Sequence, residues 1–123
     1  MLNPISVNDA IDRLIELAGQ NVSIFGSLAL VFEGTCINHI PKTEYRDDGA
    51  GTYQSSIWVN FDLAAINQRE QWLDQFDGRH VRLAGKLAAP LDGYDGCGHF
   101  SMWPAELNVK SIEKYSATLT GSG

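Results

Sequence analysis

The chain has 123 residues, one ordinary domain in length, with 44% hydrophobic and 20% charged residues, which is globular composition and excludes a disordered chain. Nine Lys+Arg against fifteen Asp+Glu leave a net charge of −6, and that acidity argues against general binding of nucleic acid or anionic membrane, which needs clustered cations. No apolar run approaches the ~18 residues of a membrane span, and the start, MLNPISVNDAID, lacks the basic and apolar regions of a signal peptide, so a cytoplasmic protein is expected.

Ser6 is placed to cap a helix, with Asp9 at the third helical position, where a carboxylate also suits the helix dipole. Val7, Ala10, Ile11, Leu14, Leu17 and Ala18 recur at helical spacing, and Gly19 ends the run. This predicts a helix over 6–18 that covers one end or edge of a sheet. From Asn21 the period changes to two. Val22, Ile24, Gly26, Leu28, Leu30 and Phe32 alternate with their neighbours, which predicts a long first strand over 21–32, bent at Gly26. A second strand is expected at 35–40. PKTEYRDDGAGTYQ (41–54) then reads as loop. The third strand is 55–62, with Ile57, Val59 and Phe61 on one face and Trp58 and Asn60 on the other.

A second helix starts at Asp62 or Asn67 and ends at Phe76, with Trp72, Leu73 and Phe76 as its apolar side. The fourth strand, His80 to Leu87, turns Val81, Leu83, Gly85 and Leu87 to one face. A long loop, APLDGYDGCGHFSMWP, leads to a fifth strand at 105–113. The domain is thus 1–115. The tail, 116–123, has nothing to bury and is expected to be disordered. Its final Gly-Ser-Gly reads as an appended linker.

Strands one and four share a pattern. Gly19, Val22, Ile24, Gly26 and Leu28 match Gly78, Val81, Leu83, Gly85 and Leu87, so both read G-x-x-V-x-Φ-x-G-x-L. The element order is α-β-β-β-α-β-β. Five strands with a helix between the third and fourth, and glycine-bent first and fourth strands, resemble the OB-fold, a five-stranded Greek-key barrel. The fold class is therefore mostly β, an OB-like β-barrel with an extra N-terminal helix. A small α+β roll from the same elements is the competing fold. The inward sets supply large apolar side chains at roughly 1.5–3 kcal/mol each when fully buried, an adequate core without metal or disulfide.

Cys36 with His39 and Cys97 with His99 offer four zinc-type ligands, but residues 36 and 39 of one strand point to opposite faces. No metal is expected. Two cysteines in a cytoplasmic chain read as free thiols. A Cys97 nucleophile with His99 as base is the enzyme reading, yet no third orienting residue accompanies them. Nothing resembles a phosphate loop or dinucleotide fingerprint, so no cofactor and no enzyme activity is expected.

The aromatic residues say more. The OB resemblance implies ligand binding on the faces of strands two and three, flanked by the loops joining strands one and two and strands four and five. Trp58 faces outward on strand three, either as a stacking or anchoring surface or packed beneath a helix. Trp103, beside Pro104, reads as a plug at the barrel end. Arg79, Arg82 and Lys86 form a basic stripe at strand four. The long loops, however, carry Glu44, Asp47, Asp48, Asp92 and Asp95 against Lys42 and Arg46, which repels phosphate. In size, charge and loop chemistry the chain resembles bacterial immunity proteins, which block a cognate toxin. That resemblance implies a protein partner of basic character, met by Glu44, Tyr45, Asp47, Asp48, Tyr53, Trp58, Asp92, Tyr94 and Asp95. A single-stranded nucleic-acid-binding OB protein is the alternative function.

Overall fold

The computed structural model describes residues 3–46 and 53–116. Its strands are β1 (Ile5–Ser6), β2 (Asn21–Ala29), β3 (Cys36–Asn38), β4 (Ser56–Phe61), β5 (His80–Ala88) and β6 (Glu106–Lys114). β2 pairs antiparallel with β3 and β5, β3 with β4, and β5 with β6, while β4 and β6 run parallel. The order β2-β3-β4-β6-β5 returns to β2, so five strands close a barrel. This closed, mostly β architecture is the expected OB-like barrel. β1 is a two-residue addition parallel to β2.

Alternation fills the barrel. Ile24, Leu28, Ile37, Ile57, Val81, Leu83, Leu87, Leu107 and Val109 are fully enclosed, each from the inward parity of its strand. Every strand of the closed barrel has two neighbours, and β2 meets its two along different lengths. β2 pairs with β5 from Asn21 to Ser27 and with β3 from Ser27 to Ala29. Gly26 stands just before that switch. A Cβ there would lie 2.5 Å from the Asn38 carbonyl oxygen and 2.8 Å from Ile37 Cγ1, so the missing side chain is what lets β3 cross. Gly85 plays the matching part in β5. The β5–β6 register shifts between Ala84 and Gly85, and a Cβ at Gly85 would lie 2.0 Å from the Asn108 carbonyl oxygen. The repeated glycine thus marks close approach of two backbones.

The N-terminal helix is capped as expected. Ser6 Oγ accepts from the Asp9 amide at 3.1 Å, and the helix breaks at Arg13 into α1 (Val7–Asp12) and α2 (Leu14–Leu17). Val7 and Ala10 are enclosed, and α1 packs on β2 and β4. Gly19, at φ 85°, ends it.

Three expected elements are revised. The helix of 62–76 is a short α3 (Leu63–Ile66) followed by a 3-10 stretch, Glu70–Phe76. Asp62 does cap α3, accepting from the Ala65 amide at 3.0 Å. Asn67, however, ends that turn in a left-handed conformation instead of starting a helix. The first strand stops at Ala29, because the Leu30 amide donates to Asp77 Oδ1 at 2.8 Å and leaves the ladder. The second strand keeps only Cys36–Asn38. The tail beyond residue 116 and the acidic pair Asp47 and Asp48 lie outside the described residues. Among the described residues no helix is long and apolar enough to cross a membrane.

Candidate functional site

In an OB-like barrel the ligand face is the outer surface of β3 and β4. Here the loop 89–104 folds back over that face. Its second half is clipped into a turn, with Cys97 N donating to the Trp103 carbonyl at 2.6 Å and Trp103 N to the Cys97 carbonyl at 3.1 Å. Gly98 takes a φ of 76°, and a Cβ there would lie 2.4 Å from the Trp58 ring. Only a glycine backbone can lie so flat on the indole. Trp103 is buried, and its Nε1 donates to Ser56 Oγ at 3.0 Å. It meets Trp58 edge-on at 4.9 Å and stacks on Tyr53 at 4.7 Å. Cys36, Cys97 and Trp103 form the centre of a second apolar cluster outside the barrel. Trp103 therefore covers β4 from outside and does not plug the barrel end. Trp58 is half-buried under a loop, not beneath a helix, and its Nε1 donates to Asn60 Oδ1 at 2.9 Å.

This packing sets the thiol chemistry. Cys36, Trp58 and Glu106 are register partners across β3, β4 and β6. Cys97 sits beside Glu106, so Trp58 stands between the two cysteines, and both are free. Burial pushes the Cys36 thiol up from its ordinary value. Burial, then the adjoining Glu106 carboxylate, pushes Cys97 up to about 11. A nucleophilic cysteine needs the opposite shift. His39 is similarly committed. The Asn8 amide donates to its Nδ1 at 3.0 Å, which places the proton on Nε2, 2.7 Å from Glu44 Oε1. With Ser6 capping the Asp9 amide, His39 satisfies a second free N–H of the first turn of α1. Cys36 and His39 thus belong to different clusters, as their parity requires, and among the described residues no three His, Cys, Asp or Glu side chains group as metal ligands.

Beside Trp103 a groove of about 460 Å³ opens between the segment 29–34 and the folded-back loop. Val31, Phe32, Tyr45 and Tyr53 present apolar surface to it, and Phe32 is 89% exposed. Among the described residues its lining holds no Lys or Arg. Glu33 Oε2 lies 3.2 Å from His99 Nε2 and joins the two loops. Comparison with protein-family models gives no match, and comparison with curated proteins gives no significant one.

The expected site residues are divided by this geometry. Tyr45 and Tyr53 line the groove, and Trp58 lies beneath the loop beside it. Glu44 is turned to His39. Tyr94 lines a separate pocket of about 180 Å³ with Cys97, Gly98 and Glu106, on the β6 side of Trp58. Asp92 and Asp95 are exposed on the same loop. Sequence reasoning missed Val31, Phe32, Glu33 and Met102, because the two-residue alternation runs on through Phe32 and hides the strand's end. Glu33-Gly34 was the available turn signal. In the basic stripe, Arg82 is tied down, with Nε donating to Ser23 Oγ at 2.8 Å and lying 3.6 Å from Glu113 Oε1.

Proposed function

We propose that this OB-like barrel is a non-catalytic binding module of the immunity or inhibitor type, which takes an apolar segment of a basic protein partner into the groove beside Trp103. The observation that carries the reading is the groove's lining, which among the described residues presents exposed Val31, Phe32, Tyr45 and Tyr53, a carboxylate at Glu33, and no Lys or Arg. Aromatic surface on a prebuilt support gives contact area at small entropic cost. A single-stranded nucleic acid would use the same rings for stacking, but it also needs cations along its phosphates. The net charge of −6 favours fast encounter with a basic partner. The upward-shifted thiols support a role without covalent catalysis.

The test joins capture from the native host with direct titration of the purified, captured protein. The reading expects saturable binding that Phe32→Ser or Tyr53→Ala weakens by about tenfold or more, with association slowing as salt rises. Phe32→Ser should leave stability within about 0.5 kcal/mol, since that side chain packs on little. Binding unaffected by both variants overturns the groove assignment. Micromolar binding of single-stranded DNA or RNA at low salt, lost on Arg82→Ala, overturns the function.

A further inference from the structure

A second cavity, of about 610 Å³, lies where β2 changes partners, lined by Ser27, Asn38, His39, Ile40, Pro41, Lys42, Tyr45 and His80. Its size is within the ~300–1,000 Å³ of small-molecule sites. The barrel topology assembles its polar floor. Ser27 is the register partner of Asn38 on β3 and of His80 on β5. Register partners project from the same face of a sheet, so these three side chains form one row across β3, β2 and β5, on the outside of the barrel. The chain then turns through Ile40 and Pro41 and brings Lys42 and Tyr45 up as the wall.

The row is rich in hydrogen-bond donors. Asn38 Oδ1 accepts from the Cys36 thiol at 3.6 Å, which leaves its amino group to face a ligand. Ser27 offers a hydroxyl, His80 a ring nitrogen and Lys42 an ammonium. Among the described residues no carboxylate lines the cavity. The adjoining one, Glu44, is hydrogen-bonded to His39 Nε2. In a chain with fifteen Asp+Glu and nine Lys+Arg, a cavity whose described lining offers donors and no carboxylate departs locally from the overall charge. Ile40, Pro41 and the Tyr45 ring supply the apolar side.

We propose that this cavity binds a small organic anion, a carboxylate or phosphate monoester with a flat apolar body. The anionic group lies on Lys42, His80, Ser27 and Asn38, and the body lies against Pro41 and Tyr45. The site is separate from the groove, although Tyr45 and Asn38 border both, and it stands whether or not a protein occupies the groove.

The experiment is an amide and imidazole NMR titration of the full chain with benzoate, with adenosine monophosphate and with neutral benzamide. One of the two anions should move Ser27, Asn38, Lys42 and His80 together with a dissociation constant of about 1 mM or tighter, and which one does so separates carboxylate from phosphate. Lys42→Ala and His80→Gln should each weaken that binding roughly tenfold, as loss of a charge-assisted bond does. Both positions are exposed, so the variants fold. Phe32→Ser should change nothing here. The proposal is overturned if neither anion moves these signals, if neutral benzamide binds as tightly as the anion that does, or if Lys42→Ala and His80→Gln bind like the parent.

Discussion

Replacing Gly85 by alanine tests the account of how the barrel closes. The added Cβ would lie 2.0 Å from the Asn108 carbonyl oxygen, 2.8 Å from its carbon and 2.9 Å from Val109 Cα. All three are backbone atoms of β6, which cannot rotate aside as a side-chain tip can. Overpacking costs roughly 1–3 kcal/mol, and a rigid obstacle puts this site near the top of that range. Alanine also restricts the unfolded chain, which returns about 0.4–1 kcal/mol. The net loss is about 2 kcal/mol. At about 4 °C per kcal/mol for a domain of this size, Tm should fall by about 8 °C. Gly93→Ala is the control. Gly93 has φ 88° and no atom within 4 Å of a Cβ, so it carries backbone strain of about 1–2 kcal/mol, offset by the same unfolded-state gain, and no clash. Denaturant unfolding and thermal melts of both variants measure the difference. If Gly85→Ala is within about 0.5 kcal/mol of the parent, or costs no more than Gly93→Ala, the close-approach argument fails for both strands.

His39→Leu should destabilise by about 2 kcal/mol in a denaturant melt, because it leaves the Asn8 amide as a buried donor without its acceptor. A neutral result would show that His39 is not what caps α1. Cys97, with its thiol held up to about 11, should resist iodoacetamide at neutral pH in the native state and react fast in urea. The stability linkage has a definite sign: above pH ~9 the unfolded thiol ionises while the folded one keeps its proton. Folding is therefore insensitive to this group below pH ~9 and loses stability as pH rises from there through about 11. A Cys97→Ser variant should lose that part of the alkaline decline, and an identical decline in both proteins would refute the assignment.

Much of the fold was readable one residue at a time, because it depends on local period and local chemistry. The alternation of Val22, Ile24 and Leu28 and of Val81, Leu83 and Leu87 names the inward face of each long strand whatever lies opposite. Ser6 and Asp9 mark the helix start because the cap is a contact three residues apart. The paired glycines announced two matching strands, although only the structure shows that they exclude the Asn38 and Asn108 carbonyls. The second helix was less legible. A left-handed Asn67 divides it, and an asparagine serves equally as the start or the end of a turn.

The candidate site was decided almost wholly by tertiary structure. Phe32 continues the two-residue period of an inward strand face, yet it is exposed, because the ladder is ended by Asp77, 47 positions away from Leu30 in sequence. Trp103 and Trp58 are alike on paper. One is buried on Ser56, and the other is pinned under Gly98, because the loop 89–104 turns back over the sheet. The row of Asn38, Ser27 and His80 exists only because β2 changes partners at Ser27. Period and capping are set by neighbours within a few positions, so the sequence alone carries them. Which loop covers which face depends on contacts between distant segments, and those are settled only when the barrel closes.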